Sequence, residues 1–272
     1  MFTVAKYLPE CLRRPLWGKR EYSILPPPLD DPDWRAWENR MQYLYVATQQ
    51  KGIGRWVNEA GYRIVKLLSG HYLTGEMRGG ASQAAGLEIG PGVISHLPFW
   101  TCRPGRLDLA DVRSEFLSAS GDILARSSLA GSLIQLDRAA GPALPLPEAA
   151  YDFVLTFYSL EHLHFLGTCL EEYKRVLKPG GFLAGAIPAE GGLAWGLGRF
   201  LTTRRLVVKR LGLDYDKIIA MEHCNTAAEV IDALDKVFIR RHLSWWPCRL
   251  PVLDLNLIIK FIYEKRPEGG SF

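Results

Sequence analysis

Short apolar segments alternate with segments of helical periodicity through the middle of the chain. Apolar runs of strand length lie at 84–89, 106–112, 132–137, 151–158 and 181–188. Between them, apolar residues recur every three to four positions over 114–130 and 165–177, which predicts amphipathic helices. This alternation favours an α/β fold with a mostly parallel sheet and helices on both faces.

The first part of the chain predicts an arm and two helices. Residues 1–30 are rich in proline and basic residues, which indicates an extended arm. One helix is expected from Trp34 to residue 49, with Asp31 or Asp33 as its N-cap, and a second over 53–68. Aromatic residues recur at helical spacing along both helices. They predict packing on the sheet or, alternatively, a wall of the substrate pocket.

Residues 189–225 interrupt the alternation of strands and helices. The segment is glycine-rich at first and then predicts a helix with five basic residues and no acid before Asp214. The five are Arg199, Arg204, Arg205, Lys209 and Arg210. Such a run usually forms a solvated face, and the alternatives are docking of an acidic substrate or of a membrane surface. After it, a helix over 226–236 and two strand-like segments close the chain.

The sequence GLEIGPG, at 86–92, predicts a buried strand that runs into a glycine turn. Gly90 and Gly92 let the backbone turn sharply and approach a ligand closely, because they have no Cβ. Glu88 lies two residues before the turn. A strand followed by such a turn forms the nucleotide-binding corner of doubly wound sheets. Ser95 stands where a dinucleotide-type GxGxxG has its third glycine, which disfavours a nicotinamide dehydrogenase.

Carboxylates follow two later strands of the predicted sheet. Asp111 lies about twenty residues past the glycine turn, where an acid accepts hydrogen bonds from ribose hydroxyls in nucleotide-binding sheets. Asp108 is the alternative if the strand ends sooner. Asp137 ends the third strand, and therefore lies in the crevice where such sheets bind ligands.

Composition sets the remaining bounds. A chain of 272 residues with 48% hydrophobic and 23% charged residues suits one α/β domain with additions, or two small domains. The net charge of +4 does not imply nucleic acid as a partner, and none is expected. The five cysteines are scattered without metal-ligand spacing, which favours a reducing compartment. With no signal peptide or transmembrane segment evident, a cytoplasmic location is expected.

From residue 84 to residue 188, the chain resembles the class I S-adenosylmethionine-dependent methyltransferases of the type 11 group. Four motifs carry the resemblance in the family's order: LEIGPG, LADVRSEFL, LPLPEAAYDFVL, and LEHL followed by EEYKRVLKPGGFL. The last of these is the most specific. The resemblance implies S-adenosylmethionine as cofactor and S-adenosylhomocysteine as product.

The resemblance also implies a role for each matching residue. Three would face the methionine end of the cofactor: Glu88, Gly90 and Gly92. Asp111 would hold the ribose hydroxyls. Two would lie at the adenine: Asp137 and Arg138. Four would sit near the sulfonium: Ser159, Leu160, Glu161 and His162. Ile94 replaces a third glycine of the first motif and leaves less room at the turn.

The implied fold is a Rossmann-like, doubly wound, mostly parallel seven-stranded sheet with an antiparallel last strand. N-terminal helices and a helical insertion after the fifth strand would complete it. Residues 1–80 are expected to form the arm and cap helices. Residues 81–272 would form the S-adenosylmethionine-binding domain, with 189–225 as an insertion that faces the substrate.

The expected reaction is methyl transfer to an oxygen or nitrogen of a small-molecule, glycan or lipid acceptor. An oxygen nucleophile of high pKa needs a base, and histidine suits this role near neutral pH. His162 and His223 are the candidate catalytic residues, and His164 is a further candidate. The alternative is a methyltransferase-fold module with weak or no catalysis, which would use the basic insertion to bind a partner or a membrane. Peripheral membrane contact is compatible with both.

Overall fold

A sheet of seven strands forms the centre of the protein in a computed structural model, which describes residues 3–4, 7–28, 30–40, 52–74 and 81–266. The strands are β1 (Ala85–Ile89), β2 (Arg106–Asp111), β3 (Leu133–Gln135), β4 (Tyr151–Phe157), β5 (Leu177–Pro188), β6 (Ile239–Pro247) and β7 (Asn256–Glu264).

The order of the strands across the sheet is β3-β2-β1-β4-β5-β7-β6. Strands β1 to β5 pair in parallel, whereas β7 runs antiparallel to both β5 and β6. The predicted fold class is therefore confirmed, including the antiparallel last strand. The direction of winding reverses between β1 and β4, and ligands bind at this point of doubly wound sheets, outside the carboxyl ends of the strands.

Helices cover both faces of the sheet and extend beyond its carboxyl edge. They are α1 (Glu10–Trp17), α2 (Pro32–Glu38), α3 (Gly52–Tyr62), α4 (Ile64–Leu67), α5 (Ser114–Arg126), α6 (Leu166–Val176), α7 (Leu193–Arg199), α8 (Tyr215–Glu222) and α9 (Ala227–Val237). Helices α3, α4 and α5 pack on one face of the sheet, and α6 and α9 pack on the other. Central strands such as β4 are buried on both faces, as their continuous apolar sequence predicts.

The connection from β1 to β2, all of which lies within the described ranges, contains no α-helix. After the glycine turn it forms a single 3₁₀ turn, Leu97–Phe99. Pro98 lies within that turn, where its fixed φ favours a start but no continuation. Trp100 then packs on Phe153 of β4, with ring centroids 5.5 Å apart. The loop thus contributes to the core without an amphipathic helix.

Helix α2 does not pack on the sheet. The side chain of Asp31 accepts a hydrogen bond from the Trp34 N–H, so Asp31 is the N-cap. Trp34 and Trp37 are buried in a separate apolar cluster with α8 of the insertion. Packing on the sheet is therefore wrong for α2 and correct for α3, because α8 offers α2 an apolar surface of its own. The helix ends at Glu38 and residues 39–40 form a turn, whereas the rest of the predicted extension, residues 41–49, lies outside the described residues.

The insertion forms a long helix followed by a shorter one. After α7 the chain continues as two π-helical turns, Phe200–Arg204 and Val207–Leu211, and Gly212 ends it in the left-handed conformation. Helix α1 packs beside α7, where Trp17 donates to the Gly192 carbonyl over 3.3 Å. Within the described ranges, no helix is both long and apolar enough to cross a membrane.

Candidate active site

The glycine turn after β1 lies against the end of β4. Gly90 has φ +66° and Gly92 has φ +54°, a backbone region that strongly favours glycine. A Cβ added to Gly90 would come within 3.0 Å of the Ser159 Cβ. The turn therefore needs glycine for its conformation at both positions and for close approach at Gly90.

Asp111, at the carboxyl end of β2, faces this turn. Its two carboxylate oxygens accept the N–H groups of Gly92 (3.3 Å) and Arg113 (2.9 Å). Burial raises the pKa of Asp111, although both hydrogen bonds act in the opposite direction. A carboxylate offers about four acceptor positions, so lone pairs remain for hydroxyl donors.

Asp108, the alternative to Asp111, lies within β2 and away from the carboxyl edge. It is fully engaged by Arg106 Nε (2.7 Å), the Ser132 N–H (2.7 Å) and the Tyr151 hydroxyl (2.9 Å). These partners tie together β2, β4 and the segment before β3. Their geometry favours a structural role for Asp108.

The N-terminal arm reaches the ends of β2 and β3. Glu38, at the end of α2, accepts a hydrogen bond from Arg138 over 2.7 Å and lies 4.0 Å from Arg113. Asp137 is exposed at the end of β3, and its carboxylate accepts the Ala139 N–H over 2.8 Å. Helix α2 therefore ends beside the two residues predicted to lie at the adenine.

Glu88 points into the core, where it meets a histidine that the sequence analysis did not single out. The Glu88 carboxylate lies 2.7 Å from His96 Nε2, and His96 Nδ1 accepts the Trp100 indole N–H over 2.9 Å. Both Glu88 and His96 are buried. This chain of side chains ties β1 to the loop that follows the glycine turn. A histidine in the apolar segment VISHLPFW was the available signal.

Ile94 also points away from the turn. Its side chain is buried in the core on the same face as α5. Its N–H donates to the Ser120 hydroxyl, and that hydroxyl donates to the Gly92 carbonyl, over 3.1 and 2.9 Å. The branched side chain therefore packs under the loop.

The end of β4 has a strained residue, Tyr158, with φ +54°. The Tyr158 hydroxyl donates to the Asn58 carbonyl of α3 over 2.9 Å. Ser159 then shares a 2.5 Å hydrogen bond with Thr156, and the Leu160 side chain is fully buried in the core. Ser159 is thus the predicted sulfonium neighbour that lies against Gly90, whereas Leu160 has only its backbone available.

Glu161 is a buried carboxylate with an unused oxygen. The residue is 2% exposed, and its Oε2 makes no hydrogen bond to any described residue. Burial raises the pKa of Glu161, although the nearby histidines His162 and His223 act to lower it. Buried polar atoms nearly always have partners, so an orphaned carboxylate oxygen near the carboxyl edge of the sheet indicates a position where a ligand can donate.

His162 and His223 lie together, as the candidate catalytic residues of the sequence. Their rings meet edge to face, with centroids 4.7 Å apart. His162 Nδ1 lies 2.7 Å from the Glu222 carbonyl oxygen, so Nδ1 must carry the hydrogen of that bond. The lone pair of neutral His162 is then on Nε2, which is 3.8 Å from Glu161 Oε1.

Glu190, two residues after β5, holds the residues on the other side of the histidine pair. Its Oε2 accepts from Arg199 (2.6 Å), Trp195 (2.9 Å) and His223 Nδ1 (2.8 Å). Burial acts to raise the pKa of Glu190, but the charges and hydrogen bonds of Arg199 and His223 hold it well below its usual range. Conversely, Glu190 raises the pKa of His223 against the effect of burial.

Sequence reasoning missed Glu190 as a site residue and treated Arg199 as one member of a basic run. The available signal was position, since Glu190 comes two residues after β5, at the same edge of the sheet as Asp111 and Glu161. His164 is set apart from this cluster. Its Nε2 bonds the Met221 carbonyl over 3.2 Å, and burial lowers its pKa. Among the described residues, no group of three or more His, Cys, Asp or Glu side chains is arranged to hold a metal ion.

Part of the chain matches a family of known proteins. Residues 87–185 match a protein family described as "Methyltransferase domain". The chain is also 39% identical over 64 residues to the uncharacterized protein YafE of Escherichia coli strain K12. That alignment covers 23% of this chain and 31% of YafE, so it spans about a third of the relative's length.

Solved structures with the same fold include three methyltransferases. A SAM-dependent methyltransferase from Aquifex aeolicus is 15% identical, with TM-score 0.51 over 80% of this chain and 95% of that one. The N-methyltransferase NodS from Bradyrhizobium japonicum WM9, in complex with S-adenosylhomocysteine, is 16% identical, with TM-score 0.54 over 86% and 99%. The 1,6-didemethyltoxoflavin-N1-methyltransferase of Burkholderia thailandensis is 16% identical, with TM-score 0.53 over 89% and 93%.

The central segment of the chain, residues 87–185, matches the methyltransferase-domain family, and the sheet has the class I methyltransferase fold. The resemblance found in the sequence motifs is thereby confirmed. S-adenosylmethionine, the cofactor that the motifs predicted, is the methyl donor of this class.

Proposed function

We propose that the protein is an S-adenosylmethionine-dependent methyltransferase that methylates an oxygen or nitrogen of its acceptor. One observation carries the proposal. The glycine turn at Gly90 lies against Ser159 at the end of β4. The residues that follow are Glu161, whose Oε2 has no hydrogen-bond partner among the described residues, and His162, whose ring meets that of His223. A cradle for a donor and a cluster of proton acceptors thus lie next to each other on one edge of the sheet.

We call the stretch from Gly90 to Asp137 the donor half of the site, and its groups suit the cofactor. The turn of Gly90 and Gly92 is open to a ligand, and Asp111 keeps lone pairs for ribose hydroxyls. Asp137 and Arg138 remain the predicted neighbours of the adenine. Glu88 supports the methionine end through the loop that it anchors, because its carboxylate is bound to His96. When bound, the cofactor would supply an electrophilic methyl group on a sulfonium.

The chain's own residues would align and deprotonate the acceptor. Holding reactants in line can contribute roughly 7–11 kcal/mol towards the barrier. We assign His162 as the base, since its Nε2 lone pair is available and its side chain is 36% exposed. Nε2 of His162 would accept the acceptor's proton, and the bound cofactor would supply the methyl group. His223, which donates to Glu190, would hold the His162 ring in position through their edge-to-face contact.

The acceptor belongs to the small-molecule, glycan or lipid classes in this proposal. We call Glu161, His162, Glu190, Arg199 and His223 the acceptor half of the site, and the segments around it would select the acceptor. The N-terminal arm and the insertion contact each other there. Arg20 donates to the His223 and Cys224 carbonyls over 2.7 and 2.8 Å, and Arg199 donates to the Leu16 carbonyl over 2.6 Å. We therefore keep 1–80 as a cap and 81–272 as the cofactor-binding domain, with 189–225 facing the acceptor.

The alternative function is a binding module of the same fold with weak or no catalysis. Ile94 was the feature that favoured it, since a branched residue in the first motif would crowd the turn. The burial of Ile94 in the core supports the enzyme instead. A module would bind neither S-adenosylmethionine nor its product well, so cofactor binding separates the two functions.

Titration calorimetry with S-adenosylmethionine and S-adenosylhomocysteine tests the proposal. We expect micromolar binding of both by the wild type, and an Asp111→Asn variant about 10-fold or more weaker, since a hydrogen bond to a charged group contributes about 1.5–3 kcal/mol. Unchanged thermal unfolding of the variant is the control. Absence of heat from the folded wild type at high ligand concentration would leave the module as the function.

Release of S-adenosylhomocysteine with a panel of hydroxyl and amine acceptors tests the assignment of the base. Once an acceptor is found, His162→Gln should lower kcat by about 10²- to 10⁴-fold while cofactor affinity stays unchanged, because a positioned base contributes that factor. Full turnover of this variant with a wild-type pH profile contradicts the assignment.

A further inference from the structure

The outer face of the insertion helix combines exposed apolar and basic side chains. From α7 to Leu211, exposed positions recur at 197–198, 201–202, 205 and 208–210. A recurrence about every four residues places them on one side of the helix. Leu197 and Leu201 are each 51% exposed, and Val208 is 41% exposed. We define the insertion face as Leu197, Leu201, Arg205, Val208, Lys209 and Arg210.

The basic residues of this helix divide into two groups. Arg199 and Arg204 point inward and form ion pairs with Glu190 (2.6 Å) and Asp216 (2.7 Å). The three cations of the insertion face are exposed and form no ion pair with any described residue. No acid occurs in the sequence between Glu190 and Asp214. The insertion face therefore carries three positive charges without compensation.

Helix α1 adds similar side chains next to α7. It packs along α7, and its exposed residues include Leu12, which is 52% exposed, and the basic residues Arg13 and Arg14. Glu10 is the acid of this helix. The surface around the insertion face thus keeps an excess of cations beside exposed leucines.

We propose that the insertion face docks on an anionic membrane surface. A basic amphipathic helix lies in the interfacial plane, with its apolar side chains at the boundary of headgroups and acyl chains and its cations beside the lipid phosphates. Both kinds of exposed side chain are then satisfied by one partner. A nucleic acid would pair with the cations and leave Leu197, Leu201 and Val208 in water.

The same helix connects the proposed docking surface to the active site. Its inner side holds Arg199, which binds Glu190 of the acceptor half, whereas its outer side is the insertion face. Docking would therefore hold the acceptor half close to the bilayer. The docking itself does not depend on methyl transfer, so the two proposals are tested by separate measurements.

Flotation of the full-length protein with vesicles tests the docking. We expect binding to phosphatidylcholine vesicles that contain phosphatidylglycerol, little binding to phosphatidylcholine alone, and release by salt. An Arg205→Ala, Lys209→Ala, Arg210→Ala variant should partition about 100-fold less, because each basic residue near an anionic surface contributes about a factor of five. Leu197→Ser with Leu201→Ser should cost at least about 10-fold, since two leucines would lose their burial.

A matched control removes the same charge elsewhere. Lys66, Arg126 and Arg266 are exposed and form no ion pair with a described residue, so Lys66→Ala, Arg126→Ala, Arg266→Ala should bind vesicles nearly as the wild type does. Unchanged circular dichroism confirms that each variant is folded. Equal losses in the variant and the control, no wild-type binding to anionic vesicles, or binding of a duplex oligonucleotide that the serine variant retains would each overturn the proposal.

Discussion

The two halves of the carboxyl edge of the sheet are built differently. The donor half comes from one continuous stretch, Gly90 to Asp137, and its groups bond mainly to nearby backbone. The acceptor half joins Glu161 and His162 to Glu190, Arg199 and His223 from distant segments. Its groups are mostly buried and bond to one another. The donor half therefore depends on backbone conformation, and the acceptor half depends on the balance between buried charges.

This difference sets what a substitution does. In the donor half, the carboxylate of Asp111 is held by two backbone N–H groups, and its loss leaves no charge buried opposite it. In the acceptor half, removal of Glu190 would leave Arg199 buried without its carboxylate. We therefore expect substitution of the donor-half carboxylate to change mainly cofactor affinity, and substitution of the buried acceptor-half charges to change the free energy of unfolding.

The largest effect is expected for Glu190→Gln. Removing one partner of a buried ion pair costs about 3–5 kcal/mol, because the remaining charge is uncompensated. The Glu190 and Arg199 side chains are only 2% and 6% exposed, so solvent screens the pair little. Urea denaturation should show this loss in the free energy of unfolding.

An exposed ion pair is the control for Glu190→Gln. Asp232 and Lys236 form a pair of 2.6 Å on α9, with side chains 67% and 73% exposed. Asp232→Asn should cost no more than about 0.5 kcal/mol, as exposed pairs one helical turn apart do. Similar losses for the two variants would mean that the Glu190 pair is not buried, and the contrast between the two halves would be wrong.

The second prediction concerns the pH dependence of stability at His223. Glu190 raises the pKa of His223 above its unfolded value, so the protonated imidazole stabilises the folded state. This contribution is complete below the unfolded pKa, about 6.5, and is lost as the pH rises through the folded pKa. His223→Asn keeps an N–H donor near Nδ1 but does not titrate.

Unfolding curves of the wild type and His223→Asn at several pH values measure this contribution. The wild type should be more stable by on the order of 1–3 kcal/mol below pH 6.5, as for hydrogen bonds between charged groups, and the difference should fall as the pH rises. In a Glu190→Gln background, His223→Asn should lose most of this pH dependence. A difference that grows with pH would contradict the sign of the shift.

The halves also differ in how far the sequence predicted them. The donor half could be predicted because its signals are local: a strand, two glycines at fixed spacing, and acids where strands end. The alternation predicted a mostly parallel sheet, the resemblance implied an antiparallel last strand, and the structure confirms both. The sequence left Asp108 as an alternative to Asp111, because it does not report that Asp108 is engaged by Ser132 and Tyr151.

The acceptor half was predicted only in part. His162 and His223 were named separately, but their contact depends on how the loop after α8 returns to the end of β4, where the Asn225 N–H donates to the Glu161 carbonyl over 3.1 Å. The Arg199–Glu190 pair was not predicted, because Arg199 belongs to a basic run that is typical of a solvated face. Local periodicity does not report which member of such a run turns inward to meet a distant carboxylate.

Among the site substitutions, the smallest loss of stability is expected for Gly90→Ala, and a second glycine separates the effect of the positive φ from the effect of contact. A left-handed backbone costs a residue with a Cβ about 1–2 kcal/mol, and Gly212, at φ +67°, has nearly the same φ as Gly90 but nothing within 4 Å of an added Cβ. Gly212→Ala should therefore lose a similar free energy of unfolding and keep the affinity for S-adenosylmethionine.

Gly90→Ala should bind the cofactor about 10-fold or more weakly, a change of at least about 1.4 kcal/mol, because its Cβ would press on Ser159 at the turn. If calorimetry gave the same affinity for both variants, the turn would not be where the donor binds, and the donor half would have to be sought elsewhere on the sheet.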